Sequence, residues 1–305
     1  VLMLARLKGY KNFYIHYSFV SAFNASLVSK VWGGRVFYWN CGLPWKYQKG
    51  KRVFFEKLVY KMISFLVTGT EGMKQEYSQH YKIPLEKIKV MPNWVNLGKI
   101  KNIEQKLKID LDIQSDQKII LFAHRLSRRK GAHWLPDIVN NLKDENVVFV
   151  IIGDGPEEEN LKSQISRLQS SSATADGGQA NLKIDDKVRF LGWVPNEAIY
   201  DYYALADVFI MPSEEEGFPH VLLEAMAMAV PFVSSDVGGV KEIVPPEFSR
   251  FLVKIGDIEN FSLKIKELLN LPQEKLEELK SAEKTWVQKY DISNVIEIFK
   301  NIVIQ

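Results

Sequence analysis

The segment DVFIMPSEEEGFPHVLLEAMAMAVPFVSSD (Asp207–Asp236) joins two short apolar runs through a polar break and a helical pattern. The outer runs, DVFIMP and PFVSSD, are typical of buried β-strands, and PHVLLEAMAMA between them has the spacing of a helix. A strand followed by a helix and a second strand indicates parallel strands with a right-handed crossover. The segment therefore predicts an α/β fold.

The same alternation continues upstream of this segment. Apolar strand-like runs occur at Lys118–Ala123, Asn146–Gly153 and Lys187–Gly192, and each precedes a helical pattern. Pro156 is suited to the first turn of the helix after the second run. Because continuous apolar strands alternate with helices, we predict a parallel sheet that is covered on both faces.

The amino-terminal part of the chain repeats this pattern less completely. Strands and helical patterns alternate there too, so a second α/β unit is expected. Its strands are predicted at Phe13–Tyr17, Val36–Asn40, Phe65–Gly69 and Lys87–Asn93, and its helices at Phe19–Trp32, Val53–Ile63 and Glu71–His80.

Three segments outside these units have their own character. Leu97–Gln117 is polar and poorly periodic, so we place the linker there. Asp110-Leu111-Asp112 matches a metal-binding Asp-x-Asp pattern, but its place in the linker favours a surface loop. The low-complexity run SSSATADGGQAN (Ser170–Asn181) predicts a mobile surface loop. The apolar stripe of DISNVIEIFKNIVI (Asp291–Ile304) predicts a final helix.

Composition limits the classes of protein. The 305 residues are 46% apolar and 25% charged, which is typical of a soluble globular protein with two domains. The net charge of +3 gives little support for a polyanionic partner, so no nucleic acid is expected. Cys41 is the only cysteine, which excludes an internal disulfide and favours a reducing compartment such as the cytoplasm. The five histidines lack HExxH spacing, and no apolar run is long enough to span a membrane, so neither a metal site nor a membrane span is expected.

Polar residues follow the carboxyl ends of the predicted strands, where open parallel sheets bind ligands. Arg125 and Lys130 in HRLSRRKG provide positive charge and donors suited to a diphosphate. Gly217-Phe218-Pro219 opens a helix whose free N–H groups form an anion site. The chain contains neither GxxxxGK[ST] nor GxGxxG, so the predicted ligand carries phosphate without being a Walker nucleotide or a dinucleotide.

Two glutamates flank the start of that helix. If Glu216 to Glu224 were entirely helical, they would lie about 12 Å apart, whereas the carboxylate pair of a glycosidase is separated by roughly 5–9.5 Å. The spacing suits two carboxylates that hold different parts of an elongated ligand, such as the hydroxyls of sugar rings. Alternatively, Ser213-x-x-Glu216 is a capping box on a solvated face, although Glu224 lies in an apolar segment and needs a partner.

These residues resemble a known family. EEGFPHVLLEAMAMAVPFVSSDVGGVKEIV (Glu215–Val244) is similar to the E-x7-E segment of the retaining glycosyltransferases of family four, which have the GT-B fold of two Rossmann-like domains facing a cleft. FAHRLSRRKG (Phe122–Gly131) resembles the stretch in which an arginine and a lysine grip the donor diphosphate. VIIGDGPEEENL, VRFLGWVPNEAIYDYYALADVFIMPS and VTGTEGMKQEY with KIKVMPNWVN are similar to further blocks in the same order, so the resemblance covers Phe65–Val244 well.

The resemblance implies a role for each site residue. Arg125 and Lys130 would bind the donor phosphates and neutralise the departing nucleotide, and Glu216 would contact the donor sugar near the reacting carbon. Glu224 would hold the ribose hydroxyls, and the segment around Leu191 would lie near the base. The segment Gly217, Phe218, Pro219, His220 and Val221 would present main-chain N–H groups to the sugar and the phosphates of the donor.

The resemblance also implies the organisation of the chain and its reaction. Residues 1–97 would form the acceptor-side domain, 98–290 the donor domain and 291–305 a helix crossing back to the first domain. The protein would transfer a hexosyl group from a nucleotide-sugar donor to a glycan or glycolipid of polysaccharide biosynthesis, with retention of anomeric configuration and without metal or cofactor. A nucleotide-sugar-binding module without transfer and a sugar-nucleotide epimerase are the alternatives.

Departures from the family pattern lie in the first domain. The usual first strand and Gly-rich loop are missing before Phe13, so we expect a fragment with an incomplete first domain. Cys41 stands where many members have histidine, and Trp94 replaces a glycine; a left-handed backbone at Trp94 would cost about 1–2 kcal/mol. The basic and aromatic stretch Trp45–Phe65 is consistent with a domain-surface helix or with contact to the inner face of the membrane.

Overall fold

Helices and parallel strands alternate along the whole chain. The computed structural model describes residues 2–46, 50–100, 111, 113–171 and 187–304. The amino-terminal elements are α1 (Leu2–Leu7), β1 (Asn12–His16), α2 (Phe19–Trp32), β2 (Arg35–Trp39), α3 (Lys51–Met62), β3 (Phe65–Thr68), α4 (Glu71–Tyr81) and β4 (Ile88–Val90).

The remaining elements form the larger part of the molecule. They are β5 (Lys118–Ala123), α5 (Leu135–Asn141), β6 (Val147–Ile152), α6 (Glu158–Ser171), β7 (Val188–Gly192), α7 (Ile199–Leu205), β8 (Val208–Met211), α8 (His220–Ala227), β9 (Phe232–Ser235), α9 (Val240–Ile243), β10 (Leu252–Val253), α10 (Ile258–Leu269), α11 (Gln273–Val287) and α12 (Ile292–Ile304).

The strands form two parallel sheets. The first has the order β1-β2-β3-β4, and the second has the order β10-β9-β8-β5-β6-β7. The predicted α/β fold with two parallel sheets is therefore confirmed. In the second sheet β5 lies between β8 and β6, so the direction in which strands are added reverses between β5 and β8. A crevice opens outside the carboxyl ends of the strands at such a reversal.

Burial explains why the strand sequences read as continuous apolar runs. Every residue of β6 and β8 is buried, as are all residues of β5 after Lys118. Helices cover both faces of this sheet, so side chains on both faces of a strand enter apolar surroundings. Burying a large aliphatic or aromatic side chain contributes about 1.5–3 kcal/mol. The cores of the two units therefore follow directly from these runs.

Three helix starts have a side-chain cap, and α8 does not. Ser18 accepts from the N–H of Ser21 at the start of α2, and Thr70 accepts from the N–H of Met73 at the start of α4. Asp257 caps α10 in the same way. The residue before α8 is Pro219, and no side chain caps the helix. The first N–H groups of α8 are thus left for another acceptor.

The last helix contacts the first sheet. Asn12 Nδ2 and Arg35 Nη2 both donate to the carbonyl of Val303, at 2.8 and 3.0 Å. The ring of Phe299 lies edge-on to that of Tyr14, with centroids 4.9 Å apart. The chain end is thereby tied to strands at its beginning. The proposed boundaries at residues 97/98 and 290/291 stay predictions.

Several local expectations need correction or lie outside the described residues. Pro156 does not lie in the first turn of α6, which begins at Glu158; it belongs to the preceding turn. Trp94 is not among the described residues with positive φ. Its backbone is therefore not left-handed, and the strain considered above does not arise at this position. In the predicted linker, residues 101–110 and 112 lie outside the described residues, as do 172–181 of the predicted loop, whereas Ser170 and Ser171 belong to α6. In the Asp110-Leu111-Asp112 pattern, both aspartates also lie outside the described residues, and only Leu111 is described.

Candidate active site

The residues after β5 and β8 meet at the reversal point of the second sheet. His124 directly follows β5, and Lys130 lies in the short 3₁₀ turn that comes next. Glu216 lies in the polar segment between β8 and α8. Because the two strands are neighbours and parallel, their carboxyl ends place these side chains side by side.

Glu216 is the centre of this cluster. Its side chain has 5% of its surface exposed. Three donors converge on Oε1, namely His124 Nε2 at 3.0 Å, Lys130 Nζ at 2.6 Å and Ser213 Oγ at 2.8 Å. Among the described residues, none donates a hydrogen bond to Oε2. One oxygen therefore fixes the carboxylate, and the other can still accept from a ligand.

These contacts show that the capping-box interpretation of Ser213 and Glu216 is wrong. No helix begins at Ser213, since α8 starts at His220. The Ser213 hydroxyl donates to the Glu216 carboxylate instead of accepting from a main-chain N–H, and both side chains are buried. Neither residue belongs to a solvated face.

The surroundings set the charge state of each group. Burial would raise the pKa of Glu216, but hydrogen bonds from His124 and Lys130 and the positive charge of Lys130 lower it to about 2. Burial lowers the pKa of His124, which favours neutral imidazole. The Arg125 main-chain N–H donates to His124 Nδ1 at 3.1 Å, so the proton of the neutral ring lies on Nε2 and points to Glu216. Burial also lowers the pKa of Lys130, while the Glu216 charge opposes that effect.

A cavity of about 520 Å³ opens beside the cluster, within the range of small-molecule sites. Lys130 and Glu216 line it, together with the uncapped start of α8. The five residues predicted to present main-chain N–H groups all line this cavity, although Pro219 itself has no N–H to donate. They are Gly217, Phe218, Pro219, His220 and Val221.

Arg125 lies in a neighbouring cavity of about 300 Å³. Its side chain is exposed there, and the same cavity is lined by Glu224. His124 and Val221 line both cavities, so the two spaces adjoin. The structure thus assigns the two predicted phosphate-binding cations to adjacent spaces. Leu191, predicted to lie near the base, is half-buried in β7 and lines neither cavity, whereas Trp193 lines the smaller one.

The partner that Glu224 needs within its apolar helix is a tyrosine. The Tyr203 hydroxyl on α7 lies 3.1 Å from Glu224 Oε2 and 3.1 Å from the carbonyl of Val221. Burial raises the pKa of Glu224, and the Tyr203 hydrogen bond opposes this effect only in part. Glu224 is therefore protonated more readily than an ordinary glutamate, whereas Glu216 is protonated less readily.

The first sheet supplies an aromatic wall to the larger cavity, made of His16, Tyr17, Trp39 and Trp94. The rings of His16 and Trp39 stack with centroids 3.9 Å apart and planes 15° from parallel. Tyr17 has a φ of 54°, a left-handed conformation that is uncommon for a residue other than glycine and often marks a functional site. The cavity is therefore lined by residues of both sheets.

Sequence reasoning missed several residues of the site. His124 could have been found, because it is the first residue after a buried strand and faces the predicted crevice. Arg129 is not among the predicted site residues; its side chain is largely exposed, yet it lines the larger cavity and lies 3.8 Å from Glu215. The aromatic wall had no such signal, since its members are separated in sequence. Cys41 is buried, and burial raises the pKa of its thiol, so a thiolate nucleophile is unsupported.

The described residues contain neither a candidate metal-binding group nor a candidate membrane-spanning helix. Within the described ranges, no group of three or more His, Cys, Asp or Glu side chains could hold a metal ion. No helix of the described chain has the length and apolar character needed to cross a bilayer.

Two parallel α/β units with a cleft lined by both define a protein of the GT-B fold class. The crystal structure of HepE from Anabaena in complex with UDP shares this fold, with a TM-score of 0.82 and 20% identity over 99% of this chain and 79% of that one. The chain belongs to the glycosyl transferases group 1, whose family model matches residues 103–286, more than half of its length.

Curated relatives match part of the chain as well. An uncharacterized glycosyltransferase of Methanocaldococcus jannaschii is 32% identical over 191 residues, which cover 60% of this chain and 45% of the relative. The UDP-Gal:alpha-D-GlcNAc-diphosphoundecaprenol alpha-1,3-galactosyltransferase of Escherichia coli is 28% identical over 221 residues, covering 67% of this chain and 53% of the relative. The chain spans about a third to a half of the length of the curated relatives it matches.

Proposed function

We propose that the protein transfers a sugar from a nucleotide-sugar donor to a glycan or glycolipid acceptor, with retention of anomeric configuration as in family four. The observation that carries this proposal is a single cavity in which the buried Lys130–Glu216 pair meets the uncapped start of α8. Cationic and main-chain donors suit the diphosphate. The free carboxylate oxygen suits a sugar hydroxyl.

The leaving nucleotide carries the charge that develops during transfer. The Lys130 ammonium group donates one hydrogen bond to Glu216, and its two other N–H groups can donate to a ligand in the cavity. Arg125 is at the edge of the adjoining space and adds a second fixed cation. Donors that are already in place when charge develops stabilise the transition state without further reorganisation. In the proposed reaction these two residues stabilise the departing diphosphate.

The carboxylates hold the two ends of the donor. Glu216 is held ionised by His124 and Lys130, and its Oε2 accepts from a hydroxyl of the transferred sugar. Glu224 in the adjoining cavity accepts from the ribose hydroxyls. The two glutamates also differ in their pKa shifts, because Glu216 is paired with Lys130 whereas Glu224 is buried beside the neutral Tyr203. The donor lies across both cavities, without metal or cofactor.

The acceptor occupies the side of the larger cavity formed by the first sheet. Tyr17 and Trp94 are partly exposed, so a sugar ring can lie against their faces. An acceptor sugar is supported by the relative from E. coli, which is named for an alpha-D-GlcNAc-diphosphoundecaprenol. A nucleotide donor is supported by HepE, whose crystal contains UDP. Transfer thus takes place between residues of the two sheets.

Purified protein should bind one nucleoside diphosphate more tightly than the others and should transfer a sugar from a donor that carries this nucleoside diphosphate. We would titrate UDP, GDP and ADP calorimetrically. We would then follow transfer by NMR from donors in which the preferred nucleoside diphosphate is α-linked to a sugar. An α-linked product is the expected result, and a β-linked product would contradict retention. Binding without turnover would identify a binding module, and a changed donor sugar in the absence of acceptor would identify an epimerase.

Donor binding should weaken in mild acid because of Glu224. Its pKa is raised above 4.5 by burial, so the carboxylate becomes protonated and loses an acceptor as the pH falls from about 7 toward that value. We expect the donor Kd to rise over this range. The neighbouring hydroxyls of Tyr203 and Tyr200 stay neutral over this range, because burial raises their pKa values. His124 lines the same cavity, and burial lowers its pKa, so it takes up a proton less readily than an ordinary histidine.

Glu224→Gln provides the control for this pH dependence. The amide cannot titrate, so its donor Kd should be higher at neutral pH and nearly constant toward acid. Glu216 does not contribute, since its pKa of about 2 keeps it ionised throughout. If the variant kept the full pH dependence, another group would be responsible and the ribose role of Glu224 would be wrong.

A further inference from the structure

The two units are in contact at the start of α4. Glu242, which lies on α9 of the second unit, accepts from the main-chain N–H of Gly72 in the first unit. Both carboxylate oxygens are within reach of this N–H, Oε1 at 3.0 Å and Oε2 at 3.3 Å. Thr70 Oγ1 accepts from the N–H of Met73 at 3.1 Å. Because the first N–H groups of a helix lack partners within the helix, α4 is capped by a side chain of its own unit and by a carboxylate of the other unit.

The absence of a side chain at Gly72 makes this approach possible. Gly72 is the second residue of α4 and is not among the described glycines with positive φ, so its conformation does not require glycine. Alanine is normally the better residue within a helix. A Cβ atom at this position would overlap Glu242 Oε1, whereas the nearest atom outside Glu242, Thr70 Oγ1, would be 3.9 Å away. The glycine therefore leaves space for the carboxylate of the other unit.

The main chain around Glu242 is fixed from the inside of the second unit. Val240 and Ile243, on either side of it, are fully buried. Trp286 Nε1 and the Tyr290 hydroxyl both donate to the carbonyl of Ile243, at 2.7 and 3.3 Å. Glu242 itself is exposed, so its side chain can be changed without disturbing the core. The carboxylate thus joins α4 to a firmly anchored element.

The segment that leads into α9 also contacts the loop of Glu216. A Cβ atom on Gly238 would overlap the carbonyl oxygen of Glu216. A Cβ atom on Gly239 would lie 2.8 Å from the carbonyl oxygen of Gly217 and 2.9 Å from Thr70 Cγ2. This segment therefore lies between the start of α4 and the loop that lines the larger cavity. If it moved relative to α4, the loop would move relative to the first sheet.

We propose that Glu242 is a positioning residue for transfer, which binds the start of α4 and thereby sets the distance between the two walls of the larger cavity. Glu242 lines neither cavity, so its effect on the reaction is indirect. The loop of Glu216 forms one wall, and the aromatic wall of the first sheet forms the other. This inference rests on the proposed function, because in that reaction donor and acceptor are held by different units.

Hydrogen exchange tests the contact without any substrate. In the parent protein the Gly72 amide should be protected by Glu242. In Glu242→Ala it should exchange roughly fivefold faster, the usual effect of losing one capping side chain, whereas the Met73 amide, which Thr70 caps, should keep its protection. Unchanged exchange at Gly72 would show that the contact does not form in solution and would overturn the proposal.

Transfer kinetics test the positioning role. Glu242→Ala should lower kcat about tenfold, a smaller loss than the hundredfold that a 1 Å misplacement can cost, while the Kd of the preferred nucleoside diphosphate stays the same. Glu242→Gln keeps an acceptor oxygen and should recover most of the lost rate. The matched control is Glu247→Ala, which changes an exposed glutamate in the 3₁₀ turn after α9. If Glu242→Ala lowered Tm but left kcat unchanged, Glu242 would be a helix cap only and the proposal would be wrong.

Gly72→Ala approaches the same contact from the other unit. The added methyl group displaces the carboxylate, so this variant should also lose about tenfold in kcat. Because both substitutions remove one contact, the double variant with Glu242→Ala should lose about tenfold and not the hundredfold of independent sites. Additive losses would contradict the proposal. If the parent protein transferred no sugar, the proposed function would fail together with this inference, whereas equal transfer by parent and Glu242→Ala would refute the positioning role alone.

Discussion

Lys130→Met is expected to lower kcat by about 10²–10³-fold, the usual loss when one donor that stabilises developing charge is removed. Methionine keeps most of the length and apolar character of the lysine stem but carries no charge. The side chain of Lys130 is 8% exposed, and its ammonium group lies 2.6 Å from Glu216 Oε1. In the proposed reaction the remaining N–H groups face the leaving diphosphate. The measurement is single-turnover transfer with saturating donor.

The same substitution should destabilise the fold, and a second variant separates the two effects. Removing one partner of a buried ion pair costs about 3–5 kcal/mol, because the charge of Glu216 is left buried, with hydrogen bonds from His124 and Ser213 but without its cationic partner. Adding Glu216→Gln removes the unpaired charge, so Lys130→Met with Glu216→Gln should regain much of the stability while transfer stays low. Because Glu216 itself holds the donor in the proposed reaction, this double variant tests the stability effect alone, and a failure to regain stability would contradict the explanation by an unpaired buried charge.

The pH dependence of stability provides a third readout. Glu216 has a folded-state pKa of about 2, below its ordinary value of 4.5, so its contribution to stability is present above pH 4.5 and is lost as the pH falls toward 2. In Lys130→Met this contribution should be smaller and its loss should be complete at a higher pH, since one cause of the low folded-state pKa is gone. Arg128→Met is the control, because Arg128 lies in the same turn with an exposed side chain and lines neither cavity.

The strands were predictable because burial determines their sequences. Lys118–Ala123 was predicted with the observed bounds, since a strand covered on both faces leaves no position for a polar residue after its first. Helices α10 and α11 were not predicted. Helix α11 carries many charged residues on its outer side, and only Leu279, Glu283 and Val287 are buried. So narrow an apolar stripe is difficult to distinguish from a polar loop.

The second-sheet half of the site was also predictable in outline, because the carboxyl ends of parallel strands collect at one edge. The pairing of Lys130 with Glu216 was not, since it depends on β5 and β8 being neighbours. Strand order is a property of long-range contacts and is not contained in local periodicity. The aromatic wall was missed for the same reason: Tyr17 and Trp94 reach one cavity from opposite ends of the first unit.

Gly217→Ala is expected to reduce kcat/KM by about 10²-fold or more, although it adds a single methyl group. A Cβ atom at this position would overlap the carbonyl oxygen of Cys41 and lie 2.6 Å from its carbonyl carbon. Cys41 belongs to the loop after β2 and Gly217 to the loop before α8, so the obstacle lies between the two halves of the cleft. A displacement of about 1 Å in a positioned site can cost a hundredfold in rate.

The loop around Gly217 has little freedom to move away. Asn93 Nδ2 donates to the carbonyl of the next residue, Phe218, at 2.7 Å. Phe218 itself is buried, and its ring lies against Gly69, where any side chain would also collide with it. The added methyl group must therefore separate the two loops, which would widen the cavity and cost about 1–3 kcal/mol of unfolding free energy.

Two further variants show whether this contact is the cause. Gly98→Ala adds the same methyl group where the nearest atom, Asn96 Oδ1, is 3.5 Å away, so its Tm and transfer rate should match the parent. Cys41→Ala combined with Gly217→Ala should not restore activity, because the obstacle is the main-chain carbonyl and not the thiol. If the double variant regained transfer, side-chain crowding would be responsible. If Gly217→Ala alone left transfer intact, the close approach of the two loops would not be required for the reaction.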